Sequence, residues 1–496
     1  MLHIRIVNTS SKAKAVQIVY YHNRKRIIFK HIGSAHTTEE LDKLKIIAQD
    51  VIDNHLPLLP LYEEVKANNL LYLDKSEFLG VYYSFFHQTI RQLLLDMGFS
   101  SIQKELLLDL VVIRIFEPAS KLRSIELLEE YFGIIHRRQN FYDSVDHWLS
   151  LKSTVERLST EFARNRYSFN FDLLFYDVTT LYFETFKEDH LRQKGYSKDN
   201  KSQQPQILLA LMVTKEGFPI AYDIFSGNTF EGHTMIPVIN KFIDKHSVKD
   251  FTIIADAAMI SMNNIKDLIK NELSYIVGAR LGNLPMELID QIYETLPKED
   301  GAKIRLKTDY GWLICDYSHM RYRKDKYEMD KQIEKAKEAI ESSSKRKRLK
   351  FTKAKNEKLT LNEELIEKTE KLLGIKGYFS NLDETLASNK TIIERYHDLY
   401  KIEQAFRISK SDLQIRPIYH FKEQPIYLHV LICFIALAIS KHIEIITGYS
   451  IKKFITESKK ITDARIINKI TQKELRIRTK LHPLMSEMLL KLNLSH

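Results

Sequence analysis

Three acidic residues lie in sequence environments where a carboxylate is unusual. Asp177 interrupts the apolar and β-branched run LLFYDVTTLYF over 173–183, where an unpaired charge would carry a large desolvation cost. Asp256 directly follows the apolar run FTIIA, at the carboxyl end of a predicted strand, where open α/β sheets place ligand-binding residues. Glu403 stands in the helical sequence ERYHDLYKIEQAFRISKS, beside apolar residues that should pack inward. Acidic oxygen donors without a Cys or His cluster suit Mg²⁺ or Mn²⁺ better than zinc.

The spacing around Glu403 would place a phenol, an acid and a cation along one stripe of a helix. Tyr396, Glu403 and Lys410 are each seven residues apart, close to two turns at 3.6 residues per turn. We therefore expect one helix, from Thr391 to Ser411, to carry all three side chains on one face.

Each acid also has a plainer interpretation that the sequence leaves open. Asp177 could lie on the exposed face of a half-buried strand, or accept a hydrogen bond from a neighbouring backbone amide. Asp256 could cap the helix predicted in AAMISMNNIKDLI. Glu403 could be a border charge of an amphipathic helix. The combination of the three acids is what favours a metal site.

The chemistry that such a site would support is attack on a phosphodiester. Two divalent ions about 4 Å apart can activate a nucleophile on one side of the phosphorus and stabilise the leaving oxygen on the other. Without such ions the negative charge of the phosphate repels an incoming hydroxyl. We therefore predict that Asp177, Asp256 and Glu403 together bind two ions.

The elements around the acids alternate between strands and helices. LLFYDVTTLYFE predicts one strand, and PQILLALMVTKEGFPIAYDIFSG predicts two more, joined at the turn Glu216–Gly217. A helix over 233–245, the strand FTIIA, another helix and the strand YIVGA follow. The order β-β-β-α-β-α-β is that of the ribonuclease H-like fold, a mixed five-stranded sheet with flanking helices. In this order the first and fourth strands are neighbours, so Asp177 and Asp256 can converge on one ion.

The whole chain is predicted to be an α/β protein of several parts, because 496 residues exceed one ordinary core. Its start alternates like a small β hairpin, helical periodicity follows, and a charged stretch later interrupts the sheet pattern. We predict a β-containing arm at 1–85, a helical DNA-binding module at 86–166, a ribonuclease H-like catalytic core at 167–281 and 376–445, an insertion subdomain with charged helices at 282–375, and a C-terminal helical segment at 446–496.

The charge of the chain indicates a polyanionic partner. Lys and Arg number 75 against 64 Asp and Glu, a net charge of +11, which favours nucleic acid but could also be a solubilising surface. Two groups of basic residues also favour a nucleic-acid partner, although each group could instead form the solvated face of a helix. One group lies in the helical module at Arg91, Lys104, Arg114, Lys121, Arg123, Arg137 and Arg138. The other lies in the insertion at Lys345, Arg346, Lys347, Arg348, Lys350, Lys353 and Lys355.

Other features bear on the compartment. Cys315 and Cys433 stand in apolar sequence and are predicted to be buried free thiols. The start of the chain lacks a charged leader followed by an apolar run, so we expect no signal peptide and a cytoplasmic location, associated with the nucleoid when DNA is bound. The longest apolar stretch, 426–439, is shorter than the ~20 residues that span a bilayer. We expect a buried core helix there and no membrane association.

The residues around the acids resemble bacterial insertion-sequence transposases of the DDE type, in the group marked by a Tyr-Arg-Glu-Lys signature. The four signature positions fall on Tyr396, Leu399, Glu403 and Lys410. Leu399 replaces the arginine of the signature, and Arg395 or Arg407 lies within a turn and could supply a similar charge. Similar blocks occur in family order across roughly 15–445: FYDVTTLYFET, GYSKDNKSQQPQILLALMV, GNTFEGHT, IIADAAM, IEQAFRISKSDLQIRPIYH and HVLICFIALAI.

The resemblance implies nicking at the terminal inverted repeats of an insertion sequence and attack of the freed 3′ hydroxyl on target DNA. Asp177, Asp256 and Glu403 would hold two Mg²⁺ ions per active site, with Mn²⁺ as a substitute. Lys410 would contact a terminal phosphate and Tyr396 would position DNA near the cut. The helical module would recognise the terminal repeat in double-stranded DNA. Synapsis of two ends implies a homodimer, since each end needs an active site.

Two other functions remain open on the sequence. The same acids would serve a ribonuclease H-like nuclease that cleaves DNA without strand transfer. The change at Leu399 would also suit a catalytically inactive, domesticated DNA-binding protein. Inverted repeats that closely bracket the reading frame would favour the transposase, and their absence would favour the domesticated protein.

Overall fold

The computed structural model describes residues 2–22, 24–55, 75–196, 203–246, 248, 251–257, 262–341, 349–355, 358–469 and 472–494. The chain divides into two units, each described here by itself. The first unit comprises 1–89, 128–134 and 456–489, and the second comprises 90–127, 135–455 and 490–496.

The secondary structure of the described residues is mixed. The strands are β1 (His3–Asn8), β2 (Lys14–His22), β3 (Lys25–Ala35), β4 (Ser76–Tyr82), β5 (Leu173–Tyr182), β6 (Gln206–Val213), β7 (Pro219–Ser226), β8 (Thr252–Ala255), β9 (Ser274–Ala279), β10 (Lys303–Thr308), β11 (Gly311–Tyr317), β12 (Thr352–Lys355), β13 (Lys358–Leu361), β14 (Ile375–Ser380), β15 (Asp463–Asn468) and β16 (Glu474–Arg478). The helices are α1 (Thr38–His55), α2 (Ser84–Asp96), α3 (Glu105–Phe116), α4 (Lys121–Phe132), α5 (Arg138–Leu149), α6 (Lys152–Tyr167), α7 (Met235–His246), α8 (Met262–Lys270), α9 (Met286–Thr295), α10 (His319–Glu341), α11 (Glu363–Lys371), α12 (Asn389–His397), α13 (Tyr400–Arg407), α14 (Glu423–Thr447), α15 (Ile451–Ser458) and α16 (Pro483–Lys491).

The first unit contains a small antiparallel sheet in the order β1-β2-β3 with α1 packed against it. Val16 and Ile18 of β2 are fully buried and belong to the same core as Leu41 and Ala48 of α1. This arrangement follows from the alternation of side chains along a strand, which sends every second residue to the helix-covered face. The hairpin of β2 and β3 is the one that the alternating sequence predicts.

The end of the chain corrects the prediction of a helical segment at 446–496. Helices α15 and α16 lie there, but 463–468 and 474–478 are the strands β15 and β16, and β15 also pairs with β4. Arg465 donates to both carboxylate oxygens of Glu474 across the strand pair, at 2.7 and 2.6 Å. Strand formation here depends on a partner almost four hundred residues earlier in the chain, which local periodicity cannot reveal.

The second unit is organised around a mixed sheet whose described strands number eight, in the order β10-β11-β14-β9-β8-β5-β6-β7. β5, β6 and β7 are antiparallel neighbours, whereas β8 runs parallel to β5 and β9 runs parallel to β8. These five strands follow the predicted order, with the first and fourth adjacent. The sheet continues past β9 with β14, β11 and β10, all antiparallel. It is therefore larger than the five-stranded sheet expected from sequence.

The additional strands change the interpretation of the insertion at 282–375. β10 and β11 fall within it and join the main sheet, so this part is not a separate subdomain. The apolar strand GWLICDY finds its partner in β14, which the sequence assigned to the core. The remainder forms a small hydrophobic core of its own, built from Met329, Ala336, Phe351 and Leu373. The group of basic residues predicted in the insertion is described only in part. Lys350 and Lys353 are exposed, while 345–348 and the side chain of Lys355 lie outside the described residues.

Helix α14 is the apolar centre of the second unit. By length and composition it could cross a membrane, but 83% of its most apolar window is buried inside the protein. It packs against α3, α5, α6 and β7. The predicted buried core helix at 426–439 is thus confirmed, within a helix of 25 residues. Cys433 on this helix and Cys315 on β11 are buried free thiols, as predicted.

Two further helices cover the middle of the sheet. α12 contacts β8, β9 and β14, and α13 contacts β5 and β6. Because Asp177 lies in the middle of β5 and Asp256 directly follows β8, these contacts bring the sequence around Glu403 toward Asp177 and Asp256.

Gly227, which follows β7, provides a test of the sheet packing. A Cβ at this position would overlap the backbone carbonyl oxygens of Gln206 and Gln193, which cannot move aside. We expect Gly227→Ala to lower the free energy of unfolding by about 3 kcal/mol, measured by urea denaturation. In the control Gly282→Ala, nothing lies within 4 Å of the added Cβ, and we expect a change below about 0.5 kcal/mol. Equal unfolding midpoints for the two variants would contradict the described packing.

Candidate active site

The parallel pairing of β5 with β8 sets the positions of the two aspartates. Tyr176 pairs with Ala255 in this register. Asp177 and Asp256 are the residues that follow this pair, Asp177 within β5 and Asp256 directly after the neighbouring strand β8. Adjacent strands lie about 4.8 Å apart, which places the two backbones within reach of a shared ligand. The predicted convergence of these two residues is therefore present in the backbone.

Both aspartates are oriented by the amide of the residue that follows. The backbone N–H of Val178 donates to Asp177 Oδ1 at 2.7 Å, and that of Ala257 donates to Asp256 Oδ1 at 2.7 Å. Both residues are half-buried. The alternative that Asp256 caps the following helix depends on 258–261, which lie outside the described residues. The backbone amide that the sequence left open as a partner for Asp177 is present, and a charge-assisted bond of this kind offsets part of the desolvation cost.

Tyr396 is bonded directly to one of the acids. Its Oη donates to Asp256 Oδ1 at 3.1 Å. The ring packs edge-on against Tyr378 at a centroid distance of 4.9 Å, and Lys376 Nζ lies 4.7 Å from its centroid. Burial raises the pKa of Tyr396, and the charges of Asp256 and Glu403 raise it further. The phenol therefore stays protonated and donates to Asp256 throughout the physiological range.

A glycine beneath the phenol makes this contact possible. Gly278 of β9 pairs with Tyr378 of β14. A Cβ on Gly278 would come within 2.5 Å of Tyr396 Oη and 3.0 Å of the Ala257 Cβ. Any larger side chain would displace the tyrosine hydroxyl from Asp256.

Glu403 has an exposed side chain on α13. Its charge acts on Tyr396, as does that of Asp256. Burial lowers the pKa of Lys376, and the charge of Arg321 lowers it further. The negative charges of Asp256 and Glu403 act in the opposite direction and raise it. Asp256 and Glu403 therefore influence the same two side chains.

The three acids are nevertheless not gathered into one ligand set. Within the residues that the structure describes, no three His, Cys, Asp or Glu side chains are placed to hold a metal ion. Asp177 and Asp256 are brought together by the sheet, whereas Glu403 is not placed with them at ligand distance. Of the positions that the sequence allows, on or beside the inward face of the helix, Glu403 does not lie on it: Ile402 and Phe406 are buried on that face of α13, and Glu403 is exposed.

The single helix predicted from Thr391 to Ser411 is also corrected. α12 ends at His397, α13 begins at Tyr400, and a π-helical turn follows at Ile408–Asp412. The break and the wider turn change the angular position of each residue, so seven-residue spacing does not produce one stripe. Tyr396 is buried, Glu403 is exposed and Lys410, within the π-helical turn, is half-buried.

The substituted signature position has a structural role. Leu399 lies at the break between α12 and α13 and is only 6% exposed. An apolar side chain buried there cannot contact phosphate. Of the two nearby cations, Arg395 is half-buried and Arg407 is exposed at the end of α13.

Lys376 and Gly278 belong to the site but were not identified from sequence. Lys376 is a lone cation in the otherwise apolar strand IKGYFS, directly after the insertion. That isolation was a usable signal, of the same kind that identified Asp177. Gly278 carries no such signal, because a glycine that accommodates a distant ring is recognised only in three dimensions.

The donors present suit a hard divalent cation. Asp177, Asp256 and Glu403 offer only carboxylate oxygens, which Mg²⁺ and Mn²⁺ prefer. The two aspartates stand on neighbouring strands with fixed orientations. The residues therefore fit a divalent ion at the sheet, with Glu403 as the acid that must approach.

Comparison with known proteins identifies the class of protein to which this site belongs. The profile of the family described as "Transposase DDE domain" matches residues 170–439. Because this match covers more than half of the chain and includes all three acids, the chain belongs to the DDE transposase family. This family uses divalent metal ions.

Two further comparisons give little beyond this. No curated protein matches the sequence significantly. Among solved structures, the chain is similar to a piggyBac transposase in a synaptic complex with hairpin DNA, with a TM-score of 0.34 and 11% sequence identity. That similarity covers 58% of this chain and 51% of the piggyBac chain, so the chain spans about half the length of that protein.

The Tyr396 hydrogen bond can be tested by a conservative substitution. Tyr396→Phe removes the hydroxyl that donates to Asp256, and we expect it to lower the free energy of unfolding by about 1 kcal/mol. Tyr400→Phe, at a half-exposed position on α13, is the control and should change it by less than about 0.5 kcal/mol. Urea denaturation measures both. If the two variants have the same free energy of unfolding, the hydrogen bond from Tyr396 to Asp256 contributes nothing to stability.

Proposed function

We propose that this transposase binds the terminal inverted repeats of an insertion sequence and carries out metal-dependent DNA strand cleavage and strand transfer. The observation that carries the proposal is the β5–β8 register, which makes Asp177 and Asp256 neighbours. Tyr396, which donates to Asp256, adds a phenol to this pair of acids.

The catalytic core in this proposal is ribonuclease H-like. Support comes from the order β7-β6-β5-β8-β9, in which three antiparallel strands are followed by two parallel ones separated by helices. The additional strands β14, β11 and β10 extend that core at one edge. The segment boundaries at 85, 166, 281, 375 and 445 remain predictions, as do the roles of the N-terminal arm and the C-terminal segment.

Asp177, Asp256 and Glu403 are the residues that would hold two Mg²⁺ ions, or Mn²⁺ in their place. Such ions supply activation of the nucleophile and stabilisation of the leaving oxygen. Val178 and Ala257 fix the carboxylate orientations of the two aspartates through their amides. The Tyr396 hydroxyl donates to the same oxygen of Asp256, Oδ1, as the Ala257 amide does. Glu403, exposed on α13, is free to turn toward the aspartates when their mutual repulsion is offset by cations.

The Tyr-Arg-Glu-Lys subgroup is also part of the proposal. Tyr396 and Glu403 lie beside Asp256, and Lys410 follows in the π-helical turn. Lys410 would contact a terminal phosphate. Leu399 cannot replace the arginine of the signature, so Arg407, exposed at the end of α13, would provide the missing cation to DNA.

The partners and location follow from the same proposal. Double-stranded DNA, both terminal repeats and target, is the expected substrate, and the helices between 86 and 166 would recognise the repeat. A synaptic complex of two ends requires a homodimer. The enzyme would act in the cytoplasm on the nucleoid, without a membrane.

Cleavage and joining can be assayed on DNA that carries the ends of the element. We expect Asp177→Asn, Asp256→Asn and Glu403→Gln each to lose nicking and joining by roughly a hundredfold or more in Mg²⁺. Asp223→Asn, which removes a half-buried carboxylate from β7 of the same sheet, is the matched control and should keep activity. DNA binding by each variant, measured by gel shift, separates loss of chemistry from loss of folding.

The outcomes separate the alternative functions. Nicked product with no joined product, even when a free 3′ hydroxyl end is supplied, would identify a nuclease. Binding of terminal repeats without any metal-dependent nicking by the wild type would identify a domesticated DNA-binding protein. Activity that survives Asp177→Asn would overturn the assignment of the acids.

A further inference from the structure

A cavity of about 230 Å³ lies at the junction of α3, α4 and the segment that precedes α14. Its lining includes Arg114, Lys121, Arg416 and His420. As far as the described residues define it, the lining contains no Asp or Glu. Since a water molecule occupies roughly 30 Å³, the cavity has room for a polyatomic anion with its waters.

Two of the lining cations are buried without an acid. Arg114 and Lys121 are each 3% exposed. No carboxylate among the described residues forms an ion pair with either. Arg114 donates to the carbonyl of Ala119 at 2.6 Å, while its Nε is buried and has no hydrogen-bond partner within the described part of the chain. The sequence interpretation of a solvated helix surface is wrong for these two residues, because both side chains are buried.

His429 orients the lysine instead of neutralising it. Its Nε2 lies 2.8 Å from the carbonyl oxygen of Ile415, which can only accept, so Nε2 carries the proton. Nδ1 therefore accepts from Lys121 Nζ at 3.1 Å. Burial and the two nearby cations lower the pKa of His429, which keeps the ring neutral. Lys121 is thus held in place by a neutral partner.

This arrangement is costly without an anion. A buried charge with no counter-charge carries a desolvation penalty of several kcal/mol. Burial lowers the pKa of Lys121, and the neighbouring Arg114 lowers it further. A bound anion would offset both effects, because it provides the opposite charge and accepts the unused donors.

The cavity is connected to the strand that carries the first acid. Ile418 donates its amide to the carbonyl of Tyr182, the last residue of β5. The guanidinium of Arg416 lies over the Tyr182 ring at 5.6 Å. Tyr182 follows Asp177 by five positions on this strand, or about 17 Å at 3.3 Å per residue.

We propose that this cavity binds a phosphate group. Arg114, Lys121 and Arg416 supply positive charge, and Gln414 and Tyr419 add neutral polar groups around it. A tetrahedral phosphate accepts hydrogen bonds in more directions than a planar carboxylate, which suits donors that converge from several elements. The proposal concerns binding alone and does not rest on the proposed cleavage activity.

Inorganic phosphate is the probe for the first test. We expect phosphate to raise the unfolding temperature of the full-length wild type relative to chloride at equal ionic strength, because it binds the folded state. Lys121→Met should weaken phosphate binding by roughly tenfold or more. Lys422→Met removes an exposed cation just before α14 and should respond to phosphate like the wild type.

The variant is expected to fold, since replacing an unpaired buried charge with an apolar side chain of similar length is neutral or stabilising. If Lys121→Met does not fold, Arg416→Met, which removes another cation from the lining, is compared with Lys422→Met by ³¹P line broadening of phosphate, and only Arg416→Met should bind phosphate more weakly. No temperature shift and no line broadening in the wild type would overturn the proposal. An equal response of Lys121→Met and wild type would also overturn it.

The source of the phosphate is resolved by competition. A short oligonucleotide with a 5′-terminal phosphate that displaces inorganic phosphate from wild type, but binds Lys121→Met more weakly, would identify a DNA phosphate as the ligand. Phosphate binding unaffected by the oligonucleotide would identify a free phosphate. Either result supports a phosphate site at this cavity.

Discussion

The structure depends on the pairing of two strands, β5 and β8, that place two like-charged residues next to each other. β5 and β8 run parallel and in register, so Asp177 and Asp256 are neighbours. Two negative charges on adjacent strands repel each other, which opposes this pairing. The pairing holds because β6 on one side of β5 and β9 on the other side of β8 bury apolar strands in the same sheet. The hydrophobic sheet thus supplies the stability that keeps two acids together.

The residues around Asp177 and Asp256 orient the two carboxylates and leave them charged. The following amides and Tyr396 bond to carboxylate oxygens, which partly compensates their charge without neutralising it. Gly278 leaves room for the phenol. Helix α13 places Glu403 within electrostatic range of Tyr396 and Lys376. The site therefore joins two fixed acids to one on a helix surface, an arrangement that can respond to cations and DNA.

Much of this could be predicted from sequence, and the limits have physical causes. The sequence identifies Asp177 and Asp256 because a charge in or directly after an apolar strand has a desolvation cost that must be compensated. The predicted strand order makes the two residues neighbours. The outward direction of Glu403 was missed because the helix breaks at Leu399, and a seven-residue spacing says nothing about where a helix ends. The sequence does not predict β15 and β16, because the sheet that they form includes β4, which pairs with β15 and is remote in sequence. Arg114 and Lys121 were taken for surface cations, since periodicity does not show which face of a helix is covered by α14.

The most direct measurement of the central claim is Mn²⁺ binding followed by electron paramagnetic resonance, in which the signal of free Mn²⁺ falls as ions bind. The account predicts that wild type and Asp223→Asn bind Mn²⁺ alike, while Asp177→Asn and Asp256→Asn each bind it at least about tenfold more weakly. Equal Mn²⁺ affinity in all four proteins would contradict the claim that the neighbouring aspartates of β5 and β8 share a cation.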